Sequence, residues 1–130
     1  MKTIFNLCLL LFSFFAGNLA AQEVKVYYFY TSYRCTNCTN FEKWTAQVVE
    51  TDFPDSNIVR FCALNIEEKE NKHFIEKYKL VTKAVVLVKF VNGKETEWKN
   101  LDKIWFNAGK EKKFKAYIRK EINDMLKAKK

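Results

Sequence analysis

The stretch from Val24 to Val49, VKVYYFYTSYRCTNCTNFEKWTAQVV, constrains the fold more than any other part of the chain. It opens with a run rich in Val, Tyr and Phe, a composition that suits a buried strand. A polar turn, Ser32-Tyr33-Arg34, leads into Cys35-Thr36-Asn37-Cys38, and there the period changes. Phe41, Trp44, Thr45, Val48 and Val49 fall at i, i+3, i+4, i+7 and i+8, the stripe of a core-facing helix. A strand that delivers a C-x-x-C to the first turn of a helix is a redox arrangement for an electrostatic reason. The helix N-terminus presents unpaired N–H groups and a partial positive charge, which favour thiolate over thiol. Arg34 adds a full charge beside the first cysteine. Cys35 is therefore the expected low-pKa attacking sulfur, and Cys38, one turn in and more enclosed, the resolving one.

Residues 1–21 read as a secretory signal peptide. Lys2 supplies the charge, Ile4 to Ala16 is apolar apart from Asn6 and Ser13, and Gly17-Asn18-Leu19-Ala20-Ala21 offers small residues for cleavage. The apolar run is short for a membrane span, although an uncleaved anchor is the competing reading. Cys8 lies inside the run without the small residues of a lipoprotein site before it. On this reading residues 22–130 form one domain of the exported protein, periplasmic or secreted. Removing Lys2 takes the net charge from +8 to +7. The excess falls late, at Lys110, Lys112, Lys113, Lys115, Lys127, Lys129 and Lys130, and reads as a solvated helix face and tail. No aromatic residues interleave with these lysines as a single-strand binder needs, so no nucleic-acid partner is expected. A monomer is expected.

Cys35, Cys38 and Cys62 remain after export, an odd number with one tight pair. That suits one redox pair plus one leftover thiol better than a disulfide framework. Cys62 is expected to be a small buried residue and the lone His73 a solvated one. Two metal readings compete. Cys35, Cys38, Cys62 and His73 would make a zinc set, and Cys35 with Cys38 alone would hold a soft ion such as Cu(I) or trivalent arsenic. Otherwise no cofactor is expected beyond a redox-active Cys35–Cys38 disulfide. Trp44, Trp98 and Trp105 read as core or rim, with a groove for a flat ligand at Trp98 or Trp105 as the weaker idea.

Along the rest of the chain, Asp52 to Asn57 holds Pro54, the one proline, and makes a turn. Ile58 to Asn65 is nearly all apolar and reads as a strand buried on both faces. Asn71 is expected to cap a short helix through Tyr78, with Phe74, Ile75 and Tyr78 inward. Ala84 to Val91 is a third strand, and Asn92-Gly93 turns it back into Glu95–Trp98. Leu101, Ile104 and Trp105 give a helical turn or two ended by Gly109, and a last helix runs from about Lys110 to Lys127. The order β-α-β-α-β-β-α predicts an α/β fold, a mixed four-stranded sheet with helices on both faces.

With Cys35-x-x-Cys38 between the first strand and first helix, the chain resembles thioredoxin over residues 24–127. The resemblance implies a thioredoxin-like domain at 22–130. More narrowly it is similar to the small exported ArsF-family proteins, nitrophenyl-compound nitroreductase subunits. The residues that carry this are Val26-Tyr27-Tyr28-Phe29, Glu70-Asn71-Lys72-His73-Phe74, Leu87-Val88-Lys89-Phe90, Trp98-Lys99-Asn100-Leu101 and Lys103-Ile104-Trp105. That resemblance implies reduction of nitroaromatic compounds, aromatic arsenicals included, beside a membrane electron donor or an ArsG-like permease.

The chain also departs from thioredoxin. Thr36-Asn37 replace Gly-Pro between the cysteines and Arg34 replaces Trp before them. Phe29 stands where a buried Asp takes the resolving thiol's proton. Thr82-Lys83-Ala84-Val85 stand where a cis-proline orders the substrate. A cis peptide without proline costs about 3 kcal/mol, so an ordinary trans loop is expected. On this alignment Lys83 and Ala84 lie beside the sulfurs. There Lys83 would stabilise a thiolate or hold an anionic substrate, or else be a solvated loop lysine. The rival classes that remain are a soft-metal or arsenical binder and a redox-silent interaction domain.

Overall fold

The computed structural model describes residues 21–127. The stretch 1–21 that reads as a signal peptide lies outside these apart from Ala21. Strand β1 (Gln22–Tyr30) leads to helix α1 (Thr36–Asp52), strand β2 (Val59–Asn65), short helix α2 (His73–Lys77), strands β3 (Ala84–Val91) and β4 (Lys94–Asn100), and helix α3 (Glu111–Lys127). One 3-10 turn, Lys69–Asn71, precedes α2, and another, Asp102–Asn107, separates β4 from α3. The sheet order is β2-β1-β3-β4, with β2 parallel to β1 and both β3 contacts antiparallel. This is the expected thioredoxin-like arrangement.

Alternation along β1 divides the core in two. Val24, Val26 and Tyr28 face α1 and α3, where they meet Phe41, Trp44, Val48, Val85, Leu87, Phe114, Ile118 and Ile122. Phe29 faces the other way, into a smaller cluster with Tyr78, Leu80, Ala84, Val86 and Val88. That second face carries only the five-residue α2, and aromatic packing fills in for a longer helix. Phe74 lies 5.3 Å from Phe29 and 5.7 Å from Tyr78, ring centre to ring centre. Asn92 and Gly93, with φ of 52° and 79°, make the tight β3–β4 turn that their sequence announces.

Four expectations need correction. The strand buried on both faces is β3, whose residues Ala84 to Lys89 are all enclosed, whereas in β2 only Val59 is. The two runs look alike in composition, but β2 lies at the sheet's edge. Cys62 is accordingly only half-buried. Asn71 does not cap α2: it is buried, and its Nδ2 donates to the Asn65 carbonyl at 3.0 Å, closing the loop after β2. Ile75 points outward, 37% exposed, while Tyr78 and Leu80 take the inward positions.

Lys89 is buried although it carries a charge. It shares the α3-facing side of β3 with Val85 and Leu87, and its Nζ donates to the Met125 carbonyl at 3.0 Å. Gln22 Nε2 donates to the next carbonyl, Leu126, at 2.9 Å. The last turn of a helix has carbonyls without helical partners and a partial negative charge. Lys89 from β3 and Gln22 from β1 thus place donors on carbonyls near the end of α3 and fasten it to the sheet.

Candidate active site

The site forms where β1 ends and α1 begins. After Tyr30 the chain leaves the sheet. The Thr31 hydroxyl donates to the Tyr33 carbonyl at 3.2 Å, and the Ser32 amide donates to Glu67 at 3.0 Å. Cys35 is then the N-cap of α1, with extended backbone (φ −102°, ψ 167°), and its sulfur accepts the Cys38 amide at 3.1 Å. Ser or Asp ordinarily fills this role with oxygen. The Cys35 carbonyl receives both the amide and the hydroxyl of Thr39, at 3.0 and 3.1 Å. Cys35 and Cys38 are disulfide-bonded, their Cα atoms 5.0 Å apart. Cys38 is wholly buried and Cys35 half-buried, so an incoming thiol reaches Cys35.

The surroundings of the pair come from β1. The Tyr28 hydroxyl, inside the core, donates to the Cys38 carbonyl at 2.8 Å. Burial, with Glu42 adding to it and Arg34 opposing, pushes the phenol's pKa far above its ordinary value, so it stays a protonated donor. Arg34 does not stand alone beside Cys35. Its Nη1 pairs with Glu42 Oε1 at 2.9 Å, and its guanidinium lies 3.9 Å over the Tyr30 ring. No acidic residue stands in the first turn of α1, so the helix terminus keeps its positive character there.

Of the other sequence-selected residues, Thr36 opens α1 exposed and Asn37 follows half-buried. Lys83 Nζ sits 4.9 Å from the ring centre of Tyr33, which ties the loop before β3 to the turn before Cys35. Hydrogen bonds from Ser32, helped by Lys83, hold the Glu67 carboxyl below its usual range. Ala84 pairs with Phe29 in the sheet and packs into the second-face core. Every peptide bond among the described residues is trans, that loop included. Val81 and Tyr33, 95% and 71% exposed, stand in the two segments that Lys83 links.

The four-ligand zinc set does not assemble. Cys62 pairs with Tyr27 and lies on the same side of β2 as Leu64, facing away from α1. His73 is exposed against Phe74 at 3.9 Å. Among the described residues no three His, Cys, Asp or Glu side chains gather as metal ligands. Trp98 packs edge-on to Tyr78 on one face, and Trp105 edge-on to Phe41 on the other.

Two site residues escaped the sequence reading. Tyr28 was visible as the polar-tipped member of the Val24-Val26-Tyr28 face, where a buried hydroxyl needs a partner. Glu42 was visible one helical turn after Cys38, on the side of α1 toward which Arg34 reaches.

No known protein-family model matches the chain, and no curated protein does. Among solved structures it is similar to the thioredoxin of Fasciola hepatica, with a TM-score of 0.42 and 14% identity, covering 73% of this chain and 81% of that one. It is also similar to a thioredoxin from Thermus thermophilus, with a TM-score of 0.39 and 12% identity, covering 61% of this chain and 58% of that one. What makes this fold thioredoxin-like is its strand order and the disulfide at the start of α1. The chemistry this pair can do is thiol–disulfide exchange.

Proposed function

We propose that the protein is an exported thiol–disulfide oxidoreductase that carries electrons in the Cys35–Cys38 pair. One observation carries the proposal: a half-buried N-cap cysteine is disulfide-bonded to a wholly buried cysteine one turn into the helix. In the reduced protein, the Cys35 thiolate attacks a partner disulfide, forms a mixed disulfide and expels one partner thiolate. Cys38, deprotonated, then attacks the Cys35 sulfur and expels the second. Two electrons and two protons pass to the partner, which leaves as a dithiol, and this protein returns to the disulfide.

The partner chemistry follows from the sequence resemblance. A membrane donor or ArsG-like permease re-reduces the pair, and the downstream reaction is reduction of a nitroaromatic compound, aromatic arsenicals included. A nitro group takes six electrons to become an amine and a dithiol gives two, so three turnovers with re-reduction are needed. The protein then acts as a carrier rather than alone. The apolar run before Gly17-Asn18-Leu19-Ala20-Ala21 supports export to the periplasm or beyond.

Equilibration in glutathione buffers tests the exchange function. A potential near −270 mV, about that of thioredoxin, marks a reductant, and one near −120 mV, about that of a strong periplasmic oxidant, marks the opposite direction of flow. A pair that does not cycle with glutathione would refute an electron-carrying role. Consumption of three equivalents of dithiol per nitrophenyl group reduced to amine tests the downstream reaction. No consumption would remove the nitroaromatic substrate while leaving the exchange chemistry standing.

A further inference from the structure

We propose that Tyr28 is a positioning residue for the exchange reaction, holding the buried cysteine at bonding distance from the exposed one. This rests on the thiol–disulfide function proposed above and adds to it a residue outside the C-x-x-C segment.

The two cysteines are held in different ways. Cys35 ends the turn Thr31–Arg34 that leaves β1 and also caps α1, its carbonyl accepting from Thr39, whereas Cys38 lies inside the helix. Their alignment therefore depends on how the first turn of α1 is fixed to the strand. Tyr28 makes that connection. Its ring is wholly buried between β1 and α1, and its hydroxyl donates to the backbone carbonyl of Cys38 itself at 2.8 Å. A helical carbonyl uses one lone pair for the amide four residues on, which leaves the second free for such a donor. A buried hydroxyl without a partner is costly, so the bond holds the Cys38 carbonyl against β1 in the disulfide form.

A second set of contacts closes around the same turn. The Tyr28 and Tyr30 rings stack with centres 6.2 Å apart, and Arg34 lies over Tyr30 and pairs with Glu42, one turn after Cys38. Both cysteines are thereby referenced to one strand. Such fixing raises the effective concentration of the Cys38 sulfur at Cys35. A higher effective concentration favours the intramolecular disulfide over both the dithiol and the mixed disulfide. The balance is that of ordinary exchange: one protein S–S bond and two glutathione thiols on one side, a protein dithiol and one glutathione disulfide on the other.

Tyr28→Phe removes the hydroxyl and keeps the ring. In the full chain, the glutathione equilibrium should shift toward the dithiol by up to about fivefold, the scale of one net hydrogen bond made in the disulfide and lost in the dithiol, or about 20 mV for a two-electron couple. Resolution of a Cys35 mixed disulfide by Cys38 should slow by a similar factor. Lys89→Met, which removes a buried donor at the far end of α3, is the control for general loss of stability and should leave the equilibrium unchanged. Should Tyr28→Phe weaken the fold too much for equilibration, urea unfolding in both redox states reads the same coupling. The substitution should then cost more in the oxidised protein than in the reduced one. A Tyr28→Phe protein with the wild-type equilibrium, a shift shared by Lys89→Met, or an equal stability loss in both redox states would overturn the positioning role alone. A wild-type pair that never exchanges with glutathione would overturn both this role and the function it rests on.

Discussion

Arg34 Nη1 stands 2.9 Å from Glu42 Oε1, so the cation that precedes Cys35 is shared with a carboxylate one turn beyond Cys38. Both side chains are about one-third exposed, at 38% and 32%, and an exposed pair of this kind contributes at most about 1 kcal/mol to stability. Its importance lies in the field at the thiolate.

Glu42→Gln should lower the Cys35 pKa in the reduced protein, because it removes a negative charge and frees the guanidinium. Arg34→Glu should raise it, since repulsion replaces attraction. Thiolate absorbance followed against pH in the three proteins decides the point. Superimposable curves would mean that the helix terminus alone sets the thiolate.

Cys35→Ser should abolish exchange with small and protein disulfides, whereas Cys38→Ser should accumulate mixed disulfides through Cys35. The motivating contrast is burial, since Cys38 is wholly enclosed and Cys35 is not. Mass spectrometry after brief alkylation of the reduced protein at neutral pH gives the order of reactivity. Faster labelling of Cys38 would reverse the assigned roles.

The redox pair was legible in the sequence because everything that defines it is local. Spacing, the preceding strand and the change from period two to period 3.6 all lie within Val24–Val49. What escaped depends on neighbours far along the chain. Val59–Asn65 and Ala84–Val91 have similar apolar content, and only the crossover that puts β3 inside the sheet and β2 at its edge separates them. Tyr28 announces a buried hydroxyl, but its acceptor, a backbone carbonyl, exists only once α1 docks. Lys89 would ordinarily be placed on a solvated face. Its inward position makes sense only where the end of α3 arrives with carbonyls to satisfy.

Lys89→Met should therefore destabilise the fold despite being more apolar. The stem is replaced, but the Met125 carbonyl loses its donor in a buried place, which costs about 1–3 kcal/mol. Urea unfolding at neutral pH measures this. An unchanged or raised midpoint would show that water reaches that carbonyl, or that burying the ammonium cost as much as its bond returned.

Alkaline pH should loosen the structure through its tyrosines. Burial, with Glu121 and Asp102 nearby, raises the Tyr117 pKa to about 12, and burial raises Tyr27, Tyr28 and Tyr78 as well. An unfolded tyrosine ionises near pH 10. Between about pH 10 and 12 the unfolded chain thus releases protons that the folded protein still holds. Stability depends on pH through the difference in bound protons, unfolded minus folded, and that difference is negative here. The contribution is complete below pH 10 and is lost as pH rises through the folded value. Tyr117→Phe removes one such group without removing its ring, so its stability should fall less steeply over the same window. Urea midpoints of both proteins from pH 9 to 12 supply the comparison. Parallel slopes would show that Tyr117 ionises alike in the folded and unfolded chains, and that burial beside Glu121 and Asp102 does not hold its proton.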